Sequence, residues 1–398
     1  MSLPHTEYVI PHDWLARPES NPCPQASNPC PQASIPGTAE EEDLCQSHGP
    51  VPDGGVNQGF SSKNYYISKN ATIMRRLLAS SFTLVLSILA AGILAASVPA
   101  NSFPAGDALS TGDALSAANA LPQRPDTLRI LAVGNSFSDD GTEYLPNLLE
   151  AAGIHNVILA RLYIGGCSLE RHCSEYYGNL HEYRYSKSGP DNKWVVTREQ
   201  TLLHGLKDEP WDIITIQQAS GFSGQYETIS RWLPELVSII RKECTNPAVA
   251  IVWHQTWSYA RNSTHGDFPK YGNDQERMSE AIQDCVDRLC EDFGICTVIP
   301  SGVAVDMARR TRLNTAGEVP PSCRLYDLTR DGFHLSYQHG RYLAACTWFE
   351  ALIRPTLGIS VKGNRSRILD TDYSISERDA RICRNIAVKA VRQSCRGK

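Results

Sequence analysis

Leu128-Arg129-Ile130-Leu131-Ala132-Val133, followed at once by Gly134-Asn135-Ser136-Phe137-Ser138-Asp139-Asp140, is the stretch on which the architecture turns. A nearly continuous aliphatic run closed by glycine is the pattern of a strand buried on both faces, because a half-exposed strand alternates polar and apolar residues. The pattern recurs at Val157–Tyr163, Asp212–Gln217, Ala248–Trp253 and Ile295–Ile299. Between these runs the period changes. Glu143–Ala152 and Asp274–Phe293 read as helices stopped by Gly153 and Gly294. In Thr228–Arg241 the residues Ile229, Trp232, Leu233, Leu236, Val237 and Ile240 form one helical face. Tyr337–Ile353 reads as a helix closed before Pro355, and Ser376–Asp379 as the capping box of a last helix packing Ile382, Ile386 and Val391. Alternating strands and helices predict an α/β protein: a three-layer α/β/α sandwich around a five-stranded parallel sheet, from residue 127 to 398. The polar insert at 174–200 is assigned no element.

Upstream the composition changes. Residues 1–73 are rich in Pro, Ser, Asn and Gly, repeat Asn-Pro-Cys-Pro-Gln-Ala-Ser at 21–27 and 28–34, and carry an acidic run at Glu40–Asp43. They read as a disordered low-complexity segment, or as an upstream artefact of the gene model if Met74 is the start. Met74-Arg75-Arg76 opens 74–100, whose apolar heart is Leu77–Ala100, ending in small residues: a signal peptide, or an uncleaved signal-anchor. Lys63, Lys69, Arg75 and Arg76 precede it, so the remainder is expected outside the cytoplasm, either secreted, periplasmic or anchored facing outward. Any membrane contact is expected only through 77–100. Residues 101–126, with Gly-Asp-Ala-Leu-Ser duplicated, read as a linker. Lys plus Arg number 38 against 43 Asp plus Glu, a mild net acidity that argues against a nucleic-acid partner. Thirteen cysteines without CxxC pairs exclude a zinc ribbon, and an exported chain would form disulfides whose pairing the sequence leaves open. Cys285 and Cys290 are expected on one helix, Cys167 and Cys173 in one loop, and His172 solvated in that loop.

In an open parallel sheet, ligands sit beyond the carboxyl ends of the strands, so the residues just after each strand are the candidates. Ser136 or Ser138 after the first strand could face a ligand, or simply cap a helix. Gly165-Gly166 after the second could bring a backbone N–H to an oxyanion, or form an ordinary loop. Gln217-Gln218-Ala219-Ser220 after the third could supply a side-chain donor or tie down its loop. Trp253, His254 and Trp257 follow the fourth; tryptophans there would either stack on a sugar ring or pack the core. Asp331-Gly332-Phe333-His334 near the end lets a carboxylate reach the imidazole three residues on, as nucleophilic serine chemistry requires, or is a polar turn with Ser336 as a helix cap.

Taken together, these blocks resemble the SGNH (GDSL-like) hydrolase superfamily, and most closely those families of unknown function whose first block is Gly-Asn-Ser. The resemblance spans about 127–395. It implies a flavodoxin-like sheet with Ser136 as nucleophile, His334 as general base and Asp331 as its orienting acid. The oxyanion hole would comprise the N–H groups of Ser136 and of Gly166 or Gly165. The usual Gly-x-Asn-Asp third block is absent, so its side-chain donor would be replaced by Gln218 or Ser220, or be missing.

The reading that follows is an exported serine esterase removing small acyl groups, acetyl above all, from carbohydrate or another polar ester. Its partner is a small-molecule or polysaccharide ester substrate, and no metal or organic cofactor is called for. Two rivals share the crevice: an idle, surface-tethered carbohydrate-binding protein, and a lipase or thioesterase with an apolar acyl channel.

Overall fold

A computed structural model of the chain describes residues 119–314, 328–370 and 372–395. The low-complexity segment, the apolar stretch at 74–100 and most of the expected linker lie outside the described residues. The last eight linker residues do not: Asn119 is buried, with its Nδ2 donating to the Gly294 carbonyl (2.8 Å) and its Oδ1 accepting from the Ile251 N–H (3.3 Å). Among the described residues no helix is long and apolar enough to cross a membrane.

The sheet has seven strands rather than five, in the order β4-β3-β2-β1-β5-β6-β7. They are β1 (Leu128–Gly134), β2 (Val157–Tyr163), β3 (Tyr183–Ser188), β4 (Trp194–Gln200), β5 (Ile213–Ile216), β6 (Ala250–Gln255) and β7 (Val298–Pro300). The five strands expected from the sequence run parallel to one another. The two additional ones form an antiparallel ribbon in the polar insert, β3 pairing with β2 and β4 lying at the edge. That ribbon escaped the sequence reading because β4 is exposed at nearly every position and so carries no apolar run.

Alternation along β1 shows how the sheet is sandwiched. Leu128, Ile130 and Ala132 face one core and Leu131 and Val133 the other. The helices are α1 (Ser136–Thr142), α2 (Leu145–Ala151), α3 (Leu169–Gly178), α4 (Leu202–Asp208), α5 (Tyr226–Glu243), α6 (Gln275–Phe293), α7 (Ser301–Arg309), α8 (His339–Trp348), α9 (Arg354–Leu357) and α10 (Glu377–Ser394). Helices α3, α4 and α5 bury Leu169, Leu206, Leu233 and Leu236 on one face; α2, α7, α8 and α10 bury Leu148, Val305, Leu343 and Ala387 on the other. The capping box holds: Ser376 Oγ accepts from the Asp379 N–H at 3.1 Å. The helix expected to stop before Pro355 instead runs on through a π turn (Phe349–Ile353) into α9. Proline has no N–H to give an α-helical ladder, and the widened turn before it absorbs that loss.

Among the described residues one disulfide, Cys290–Cys296, joins the end of α6 to the approach to β7. Cys285 and Cys290 share α6 as expected, whereas Cys173 lies within α3 and only Cys167 in the turn before it. His172 is likewise not solvated: it is fully buried in α3, and burial foremost lowers its pKa to about 3.

Candidate active site

The parallel strands run outward in both directions from the junction of β1 and β5, the point where an open sheet of this type leaves a crevice at its carboxyl edge. Three groups meet there. Ser136 is the first residue of α1, so its N–H has no intrahelical acceptor. Its Oγ lies 2.8 Å from His334 Nε2, and His334 Nδ1 lies 2.6 Å from Asp331 Oδ2. The other oxygen of Asp331 accepts the N–H groups of Phe333 (3.1 Å) and His334 (2.7 Å), which folds the Asp-to-His segment into a tight turn. Partial burial works to raise the Asp331 carboxyl. The hydrogen bonds from His334 and Phe333 outweigh it and hold the group below the usual carboxylate range. An ionised Asp331 accepting from Nδ1–H leaves Nε2 as the base facing the hydroxyl.

The element carrying Ser136 and the turn carrying His334 are tied together by a buried charge. Asp140 of α1 accepts Arg341 Nε (2.8 Å), Arg330 Nη1 (3.0 Å) and the Leu335 N–H (2.8 Å). Behind these three groups, Phe137 stacks on Trp257 with ring centroids 4.4 Å apart, and Trp257 Nε1–H donates to the Phe333 carbonyl at 2.7 Å.

The turn after β2 sits beside Ser136. The Ile164 N–H reaches the Gly134 carbonyl (3.4 Å), and Asn135 Nδ2 donates to the Cys167 carbonyl (3.0 Å). Gly166 has a positive φ of 61°, a conformation that favours glycine. Among the described residues the N–H groups of Gly165 and Gly166 have no acceptor, so both are available to a developing negative charge.

Two expectations are overturned, for Gln218 and for the tryptophans. Gln218 is no oxyanion donor: its Oε1 accepts from the N–H groups of Leu169 (3.0 Å) and Ala219 (2.8 Å), and its Nε2 donates to Thr228 Oγ1 (3.1 Å). Ser220 shares a hydrogen bond with Tyr259 OH (2.8 Å). Trp253 and Trp257 cannot be sugar platforms, being 3% and 0% exposed. Trp253 lies within β6 and faces the α5–α6 core, and both of Trp257's uses are internal.

Missed in the sequence were the roles of Asn135 and Asp140 and the choice of Gln217 over Gln218. Alternation in β5 held the clue to the last: Ile214 and Ile216 face one core, which turns Thr215 and Gln217 to the opposite side, toward Asn135. The half-buried His265 completes the rim, its ring 4.6 Å from that of Phe333. Among the described residues no three of the His, Cys, Asp and Glu side chains are grouped to hold a metal ion.

A doubly wound α/β protein with a serine, a histidine and an aspartate in series at its switch point is the class these observations define. Residues 129–390 match the family model described as a domain of unknown function, DUF4886, and the chain belongs to that family. It is similar to the crystal structure of a DUF4886 protein from Bacteroides uniformis, with 38% identity over 68% of this chain and 96% of that one, at a TM-score of 0.60. Two more distant likenesses are to the acetylxylan esterase of Geobacillus stearothermophilus (13% identity, 62% of this chain and 99% of that one, TM-score 0.37) and to the acetyl xylan esterase AlAXEase (13%, 56% and 98%, 0.34). No curated protein matches the chain significantly.

Proposed function

We propose that the chain is a serine hydrolase of carboxylic esters. The observation that carries this reading is the unbroken hydrogen-bonded series Ser136 Oγ, His334 Nε2, His334 Nδ1, Asp331 Oδ2. His334 takes the Ser136 proton as Oγ attacks the ester carbonyl, and the imidazolium is stabilised by Asp331. The tetrahedral oxyanion is met by the N–H groups of Ser136 and of Gly166 or Gly165. Protonation of the departing alkoxide by His334 leaves an acyl-serine, and the same imidazole then activates water to release the acid.

A small acyl group, acetyl above all, fits best, because Phe137 and Trp257 fill the space behind Ser136. The polar rim of Ser220, His265 and Asp331 favours a polar alcohol portion such as a carbohydrate over a lipid. Wild-type protein is expected to hydrolyse p-nitrophenyl acetate and to be labelled by a fluorophosphonate, and Ser136→Ala to do neither while keeping its fold. Turnover retained in that variant would overturn the proposal.

A further inference from the structure

Behind the triad runs a line of buried polar groups that the reaction above does not use. Trp348 Nε1 reaches His254 Nε2 (3.3 Å), His254 Nδ1 reaches Gln217 Oε1 (2.7 Å), Gln217 Nε2 reaches Asn135 Oδ1 (2.8 Å), and Asn135 Nδ2 reaches the Cys167 carbonyl (3.0 Å). All five residues are at most 1% exposed. The Asn135 end determines the direction of the whole series. The Phe137 N–H and the Cys167 carbonyl fix the Asn135 amide, so Gln217 has one allowed orientation and His254 carries its proton on Nδ1, its Nε2 accepting from Trp348 and lying 3.0 Å from Ser301 Oγ. Gly141 permits the indole's approach: a Cβ there would lie 2.6 Å from Trp348 Nε1.

We infer that this series, with Gln217 as its central positioning residue, holds the Gly165-Gly166 turn against the start of α1 and so sets the oxyanion hole in place of the missing third-block asparagine. Four strand ends contribute to it: Asn135 follows β1, Cys167 the turn after β2, Gln217 follows β5, and His254 belongs to β6. At Asn135 the same Oδ1 that receives Gln217 also accepts the Phe137 N–H (3.0 Å), while the amide nitrogen fastens Cys167, next to Gly166. The Asn135 amide is thus fully satisfied only while the two turns stay in register, and leaving one of its atoms unmatched inside the core is costly. The inference rests on the ester-hydrolase reading.

Gln217→Glu tests it through pH. A protonated carboxyl repeats the amide's pattern, with O–H toward Asn135 Oδ1 and C=O toward His254 Nδ1–H; an ionised one sets two acceptors face to face. The ionisable group against residue 217 is His254, whose ring burial keeps neutral, with a pKa lowered to about 3. Ionisations common to the two proteins cancel in the ratio of variant to wild-type kcat. That ratio on p-nitrophenyl acetate is expected to fall at least about tenfold from about pH 5 to about pH 8, with KM within about twofold. Gln217→Met, which donates at no pH, is expected to lose at least about tenfold in kcat throughout, while the deshielded His334 Nδ1–H resonance persists in its proton NMR spectrum. A pH-independent ratio, a wild-type kcat in Gln217→Met, or loss of that resonance along with kcat overturns the inference alone. Absence of fluorophosphonate labelling in the wild type removes the hydrolase reading and this inference together.

Discussion

Asp140 and Leu335 are bonded across 195 residues of chain: the carboxylate, four residues after Ser136, accepts the N–H of the residue that follows His334 at 2.8 Å. The candidate nucleophile and its base therefore ride on elements joined by a fully buried charge, which Arg330 and Arg341 neutralise. Removing that charge leaves two guanidinium groups against an amide. Asp140→Asn is expected to destabilise the protein by about 3 kcal/mol in urea unfolding and to lower kcat as the His334 turn drifts from Ser136. Unchanged stability would show that the arginines find other partners.

Asp331 both shapes its turn, through Oδ1, and orients His334, through Oδ2. Asn can keep the first role but presents no charge to the imidazolium. Asp331→Asn is expected to retain the fold and to lose about 10³–10⁴ in kcat for p-nitrophenyl acetate. A loss below about tenfold would mean that another group supports the imidazole.

Trp257→Phe separates packing from substrate contact. The ring stack on Phe137 survives, but the Phe333 carbonyl loses its buried donor, which costs about 1–3 kcal/mol. Denaturation should register that loss, while KM for an acetylated oligosaccharide stays within about twofold, because Trp257 offers no exposed face. A selective rise in KM would restore the sugar-platform reading.

Acid should weaken the fold at a distance from the triad. Burial lowers both His172 and His254 to about 3 from an ordinary value of 6.5. Between those limits the unfolded chain binds protons that the native one excludes, so stability declines as pH falls from about 6.5 toward 3. Thermal melts across that window are expected to show it, with a shallower slope in His172→Gln. An unaltered slope would exclude His172 as a contributor.

The sequence alone was enough for the parallel part of the sheet and to single out the candidate serine, histidine and aspartate that lie within hydrogen-bond range in the fold. Long aliphatic runs and the Asp331–His334 spacing are local patterns, imposed by burial on both faces and by the reach of a side chain around one turn. Only the tertiary structure decided what lies between them. The β3–β4 ribbon is held by backbone pairing to β2, which exposed polar residues do not announce. The choice of Gln217 over Gln218, the burial of Trp253 and Trp257, and the clasp of Asp140 on Leu335 depend on which neighbours the folded chain brings within hydrogen-bond range. Those partners lie from 37 to 195 residues away along the chain, from His254 to Leu335, and a pattern read along a few residues carries no record of them.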